Sequence, residues 1–285
     1  MKVSVGVCAY NEESNIGKLL DKLVNEPLIN HVVVVASGCT DRTVEIANSY
    51  KKFTVIVQPK REGKSSAVNL YLSHARLNLK SDICVLQSAD TLPTSFTYKY
   101  LLEPFNDSSV GMVGGHPIPI NDRKDYMGGI AYILWELHHQ QSLINPKSGE
   151  IIAFRNVVDS IDAHGLVDEA DIEGQILKSG YQLRYAPNAI VFNCGAKTVD
   201  DFVKQRKRIY KGHLILQSQH KVSTMNTIHT GLAKTTLKLL LKYPKSMLGY
   251  TQLELKSRKL ASLELKQSGN LNGQWDMINS TKDLK

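Results

Sequence analysis

The feature that most constrains this chain is an alternation in its first ninety residues. Short, continuous apolar runs take turns with stretches of helical spacing. Lys2–Cys8, His31–Ala36, Phe53–Val57 and Ile83–Leu86 read as strands, and His31–Ala36 carries four consecutive valines. Between them lie a helical pattern through Ile16, Leu19, Leu20 and Leu23, a second over Arg42–Tyr50 and a third over Ser65–Leu77. Thr40 or Asp41 is placed to cap the second. Apolar runs this short, bounded by polar residues, predict strands buried on both faces. Their regular alternation with helices predicts an α/β fold, a mostly parallel sheet flanked by helices. In such sheets ligands gather outside the carboxyl ends of the strands. The fourth strand runs out into Ser88-Ala89-Asp90, and Pro93 closes the segment. Asp90 is therefore where a metal or phosphate is expected, with a plain turn aspartate as the alternative.

Beyond Pro93 the pattern changes. Tyr98–Phe105, Gly128–Leu143 and Asp168–Ser179 read as helices, and Val199–His220 as a long basic helix. Val110–Ile120, interrupted by Gly and Pro, and Glu150–Phe154, Leu183–Tyr185 and Ala189–Phe192 read as strands. The expected organisation is an α/β domain over residues 1–212, a basic amphipathic helical extension over 213–268 and a polar, disordered tail over 269–285.

No apolar run reaches the roughly 18 residues of a transmembrane helix. The chain enters its first strand at once, so no signal peptide is expected. Its 4 cysteines are scattered without CxxC spacing, which suits a reducing cytosol. The net charge of +8 is unevenly spread: Lys197 to Lys266 holds 15 lysines and arginines against 4 acids, and the rest is slightly negative. Such asymmetry points to an anionic partner. Gly231–Lys242 repeats Lys234, Lys238 and Lys242 on one helical face, with Leu232, Leu237, Leu239 and Leu240 over much of the other. That helix can lie on an anionic membrane surface or pack on its own domain. Leu253–Leu265 follows as a second helix, after Pro244.

Three clusters can carry chemistry. Gly63-Lys64-Ser65 opens a helix as a phosphate-binding loop does, although Gln58 stands where a P-loop needs glycine. Asp168-Glu169-Ala170-Asp171-Ile172-Glu173 gathers four carboxylates at a helix start. They either complement the helix dipole or raise one another's pKa for general-base work. Gln205-Arg206-Lys207-Arg208 places arginine forks, suited to diphosphate, on the long helix; a solvated basic face is the alternative.

Together these pieces resemble the family 2 glycosyltransferases of the GT-A fold, the inverting, cellulose- and chitin-synthase-like catalytic domains, here without transmembrane helices. Cys8-Ala9-Tyr10-Asn11-Glu12-Glu13 is similar to "P-x-Y-N-E", and Ser37-Gly38-Cys39-Thr40-Asp41-Arg42-Thr43 to "D-G-S-T-D-x-T". Arg61–Asn69 resembles "R-x-G-K-x-x-A-L-N", and Ser88-Ala89-Asp90 the metal motif "D-x-D" with its first Asp replaced. Gly149–Arg155 resembles "G-x-x-x-A-F-R", Asp168-Glu169 the catalytic "E-D" transposed, and Gln205–Ile209 "Q-x-x-R-W" without the Trp. The resemblance implies a nucleotide diphosphate-sugar, UDP- or GDP-linked, held by Ala9, Tyr10, Asn11, Glu12, Ser37, Lys64, Ala89, Arg206 and Arg208. It implies a divalent cation, Mn²⁺ or Mg²⁺, on Asp90, and Glu169 as catalytic base with Asp168 as its rival.

The function expected is inverting transfer of a sugar to an acceptor hydroxyl, on a glycan or a lipid-linked glycan, at the cytoplasmic face of a membrane. The acidic cluster favours a hydroxyl, because a polyprenyl phosphate is already ionised and needs no base. Polyprenyl-phosphate glycosylation and a non-catalytic sugar-nucleotide or membrane binder remain alternatives. A sugar-nucleotide pyrophosphorylase is disfavoured, since Tyr10-Asn11-Glu12 stands where its Gly-rich loop belongs. No nucleic-acid partner is expected.

Overall fold

A computed structural model describes residues 1–218 and 232–267, together with 281, 282 and 284. The alternation read from the sequence becomes β1 (Val3–Ala9), α1 (Ile16–Leu23), β2 (His31–Ser37), α2 (Thr43–Ser49), β3 (Thr54–Gln58), α3 (Lys64–Leu77) and β4 (Ile83–Ser88). β1 pairs in parallel with β2 and β4, and β2 with β3. Each strand alternates its side chains between two faces. Val32 and Val34 therefore join the core under α1, whereas Val33 and Val35 join the core under α3. Ile83 and Val85 of β4 go to the first layer, and Cys84 and Leu86 to the second. A run without polar alternation is thus a strand covered on both sides, each fully buried valine contributing about 1.5–3 kcal/mol.

The later elements complete one sheet, in the order β3-β2-β1-β4-β7-β6-β8-β5 among the described residues. β5 (Thr91–Pro93) follows Asp90 directly, then come α4 (Thr97–Leu102), β6 (Val110–Pro119), α5 (Tyr126–Ile144) and β7 (Ile151–Arg155). β7 inserts antiparallel between β4 and β6. α6 (Asp168–Lys178), β8 (Gln182–Asn193), α7 (Val199–Ser218), α8 (Leu232–Lys242) and α9 (Pro244–Gln267) finish the order.

Several expectations are corrected. The single helix over Tyr98–Phe105 is α4 followed by a 3₁₀ turn, Glu103–Asn106, where Pro104 stands in its first turn. The two strands Leu183–Tyr185 and Ala189–Phe192 are one, because β8 crosses its turn-like middle with a register shift against β6 between Gly114 and His116. The segment closing at Pro93 is itself an edge strand, where a residue without an N–H is tolerated.

α9 lies along α7, and both pack with α5 around Ile130, Phe202, Val203 and Leu253. α8 touches α5 through Leu239, beside Ile133 and Met247. No described helix is long and apolar enough to cross a membrane. Residues 219–231 and 268–280, which hold the ends of two expected helices and most of the expected tail, lie outside the described residues.

Candidate active site

The carboxyl ends of β1, β2 and β4 meet the first turns of α3 and α6 at one cleft of about 410 Å³. Ala9, Tyr10, Glu12, Ser37, Lys64, Ala89, Asp90, Asp168, Glu169, Arg206 and Arg208 all line it. Asn11 does not. It adopts φ of 52°, its Oδ1 accepts the Thr40 N–H at 2.8 Å, and its amide donates to the Thr40 hydroxyl at 3.1 Å. Asn11 thereby clasps the loop after β1 to the loop after β2. Gly38 turns that second loop at φ +63°, and a Cβ there would lie 2.3 Å from the Arg61 nitrogen, so only glycine fits. Arg61 in turn lays its guanidinium 4.1 Å over the Tyr10 ring. Ser37 lines the cleft wall and accepts the Glu62 N–H at 3.3 Å.

Lys64, expected on donor phosphate, reaches across the cleft to the acid pair. Its Nζ lies 2.7 Å from Glu169 Oε1 and 3.3 Å from Asp168 Oδ2. Asp168 is 3 % exposed and receives the Ser65 hydroxyl. Burial raises its pKa above the ordinary aspartate value, with Lys64 opposing and Glu169 adding to the rise. Glu169 is half-buried with the opposite outcome. Burial would raise it, but the Lys64 charge and hydrogen bond, with Arg208 behind them, hold it below the usual glutamate range. Of the two acids Glu169 is therefore the one whose ionised form is favoured, and it is the more exposed of the pair, whereas Asp168 is buried and held by Ser65 and Lys64.

At the far side of Lys64 a second pair of carboxylates faces the cleft. Asp90 is pushed up to about 6, first by burial and then by the nearby charge of Glu12. Glu150 is pushed up to about 7, by burial and then by Asp90, while the Ser88 hydroxyl beside it favours its ionised form. Asn193, 5 % exposed, donates to Glu150 Oε1 at 3.5 Å. Arg208 lies where it feels Asp168, Glu169, Glu150 and Asp90 together.

Arg206, expected on the diphosphate, lines the cleft but has a carboxylate on its fork. Its Nε and Nη2 donate to Glu254 of α9 at 2.8 and 3.0 Å, a bidentate pair with 14 % and 8 % side-chain exposure. The fork fastens α9 to α7 although its stem still lines the cleft. The opposite wall comes from Trp135 and His138 of α5, with Lys147 and His213. Burial pushes both histidines down to about 4, so they stand neutral at neutral pH.

Two participants escaped sequence reasoning. Glu150 sits inside a recognised segment but at one of its variable positions, and no local signal marks it. Lys282 places its Nζ 2.7 Å from Glu12 Oε1 and donates to the Asn11 carbonyl at 2.8 Å, so the chain's last described residues reach the loop after β1. Nothing in a polar tail signals that contact.

Comparison with known proteins bears on this arrangement. The family model described as Glycosyl transferase family 2 matches residues 4–173. The chain is 27% identical over 233 residues to the Probable glycosyltransferase YdaM of Bacillus subtilis (strain 168), covering 74% of this chain and 55% of that protein. It is 24% identical over 238 residues to the Poly-beta-1,6-N-acetyl-D-glucosamine synthase of Staphylococcus aureus (strain COL), covering 78% of this chain and 57% of that one. It thus spans little more than half the length of these relatives. Among solved structures, the mannosyltransferase PcManGT from Pyrobaculum calidifontis, in complex with GDP-Man and Mn²⁺, superposes with a TM-score of 0.61 at 19% identity, covering 95% of this chain and 77% of that one. Glucosyl-3-phosphoglycerate synthase from Mycobacterium tuberculosis, in complex with Mn²⁺, UDP and glucosyl-3-phosphoglycerate, gives 0.53 at 17% identity, covering 78% and 81%. These two likenesses establish the shared fold.

Proposed function

The chain belongs to glycosyl transferase family 2, and from that premise we propose that it transfers a sugar from a UDP- or GDP-linked donor to an acceptor hydroxyl, with inversion. The observation that carries the reading is the single cleft in which a Lys64-bridged acid pair, Asp168 and Glu169, faces Asp90 at the strand ends. The nucleotide lies along Ala9, Tyr10, Glu12 and Ser37, with Asn11 holding that loop in place. Glu169 takes the acceptor hydroxyl's proton as its oxygen bonds the anomeric carbon. The bond from that carbon to the diphosphate breaks, and its electron pair leaves with the nucleotide. Asp168, held by Ser65 and Lys64, positions Glu169 through the shared lysine. Arg208 balances the negative charge that the diphosphate brings among four carboxylates.

The residues fit a divalent cation. Among the described side chains no group of three His, Cys, Asp or Glu could hold a metal ion. Mg²⁺-type sites, however, need only one or two carboxylates plus substrate phosphate oxygens. Asp90 is a hard oxygen donor on the cleft lining at the strand ends, with Glu12 and Glu150 on the same lining. Mn²⁺ or Mg²⁺ bound at Asp90 would supply positive charge to the leaving diphosphate.

A hydroxyl acceptor is the better-supported substrate, because Glu169 is positioned and kept ionised to serve it. A phosphate-bearing lipid acceptor is favoured by one feature, the Lys147 amine on the cleft wall shared with Trp135 and His138. A membrane contact fits α8: Leu237, Leu240 and Leu241 are 57%, 38% and 76% exposed on the same helix as Lys234, Lys238 and Lys242.

Substituting the two acids tests the assignment. Glu169→Gln should bind donor as the parent does and lose transfer by roughly 10²–10⁴-fold, the usual contribution of a positioned base. Asp168→Asn should be the milder variant. The reverse order would move the base to Asp168, and full activity in both would favour an acceptor that arrives ionised.

A further inference from the structure

In the pattern Ser88-Ala89-Asp90 the first carboxylate of the motif is absent, and Ser88 stands in its place. The neighbouring strand runs past that position in the opposite direction. β4 pairs antiparallel with β7 in a register that brings Gln87 opposite Ile151 and Leu86 opposite Ile152. The next step of the same ladder sets Ser88 against Glu150, where the Ser88 N–H donates to the Glu150 carbonyl at 3.1 Å. Residues directly opposite in an antiparallel pair carry their side chains on the same face. The Ser88 hydroxyl accordingly lies beside the Glu150 carboxylate. Both side chains line the cleft with Asp90.

From this opposition we infer that Glu150 is the second carboxylate of the cation site, supplied across the sheet by β7 in place of the acid absent at position 88. The inference rests on the donor-site reading above. Size is consistent with it: serine at 88 is small enough to leave the Glu150 carboxylate beside it on the cleft lining that also holds Asp90. A second observation concerns a neutral side chain. Asn193 is 5 % exposed and lines the cleft, its amide nitrogen donates to Glu150, and its buried Oδ1 has no hydrogen-bond partner among the described residues. An orphaned acceptor on a side chain that contacts Glu150 is one that a cation, or a water on the cation, would satisfy. Among the hard divalent ions, Mn²⁺ and Mg²⁺ match a site of few protein oxygens completed by diphosphate.

The test reads metal binding and needs no turnover. Mn²⁺ is titrated into the full chain in the presence of whichever of UDP and GDP the parent binds, and free Mn²⁺ is followed by electron paramagnetic resonance. Thermal unfolding in EDTA verifies that each variant is folded. Glu150→Gln should weaken Mn²⁺ binding by at least about tenfold, the lower end of the loss seen when even an outer partner of a metal site is removed. Adding Ser88→Asp to Glu150→Gln should restore most of that affinity. Asp90→Asn should lose it in every background. If Asp90→Asn fails while Glu150→Gln binds as the parent does, Glu150 is no ligand and the donor-site reading survives without it. If the double variant binds no better than Glu150→Gln, the claim that Glu150 replaces the acid at 88 is wrong. If neither single variant changes Mn²⁺ binding, the metal reading falls and this inference falls with it.

Discussion

At the scale of single residues the cleft is governed by how one cation is shared. Lys64 is the first residue of α3, and its Nζ meets both Asp168 and Glu169. The two acids shift in opposite directions: burial is the largest influence on each, but it prevails for Asp168, whereas for Glu169 the Lys64 charge and hydrogen bond, with Arg208 behind them, together outweigh it. A base with a depressed pKa is ionised above that pKa, so the acid limb of the rate profile should lie below the ordinary glutamate range. Lys64→Met removes the stabilising charge and leaves the burial. The limb of kcat/KM should then move to higher pH, and an unmoved limb would mean that Glu169 is not the titrating base. Most of these residues were legible in the sequence, because Lys64, Asp90, Asp168, Glu169 and Arg208 sit in motifs whose spacing is local. Their pairing was not. Lys64 and Glu169 are 105 positions apart, and no periodicity says that a lysine expected on phosphate will rest on a carboxylate instead.

At the scale of elements, the first four strands and three helices were legible because each rests on short-range patterning. The four valines of β2 require cover on both faces, and they receive it from α1 and α3. What escaped was strand order. β7 reads as a strand from its own residues, but its antiparallel place beside β4, and hence Glu150 opposite Ser88, depends on a crossover invisible to local pattern. The Arg206–Glu254 pair is another such product of packing. Basic residues on α7 read either as diphosphate ligands or as a solvated face, and α9 brings Glu254 to the Arg206 fork. Glu254→Leu leaves the Arg206 charge buried with its main partner gone. It should cost about 3–5 kcal/mol in denaturant unfolding, and Arg206→Met added to it should recover much of that loss. The sign with pH follows from Glu254, which burial would raise but Arg206 and Arg258 hold below its usual value. The pair's contribution is present above the ordinary glutamate pKa and fades as pH falls through the lower folded one. Equal stability of Glu254→Leu and parent at neutral pH would show that α9 docks without the pair.

At the scale of the molecule, the chain is a cleft at the strand ends with a basic helical region beside it. Between Lys197 and Lys266 lie 15 basic residues against 4 acids, and α8 turns exposed leucines and lysines outward together. If α8 meets an anionic membrane, replacing Lys234, Lys238 and Lys242 with Glu should release the protein from phosphatidylserine vesicles. At about 1 kcal/mol per lysine, partitioning should drop by roughly a hundredfold or more. Unchanged co-sedimentation, or binding indifferent to salt, would remove the membrane from the account. The central claim is that the cleft takes a nucleotide diphosphate-sugar, with a divalent cation, and passes its sugar on. Its most direct measurement is a screen of the full chain against UDP- and GDP-sugars, by calorimetric binding and by release of the nucleoside diphosphate, in Mn²⁺ and in EDTA. One donor class should bind and be consumed, with an α-linked donor giving a β-linked product by NMR, and EDTA should abolish turnover that Mn²⁺ restores. A chain that binds none of these donors in Mn²⁺, or that turns one over equally well in EDTA, would contradict it.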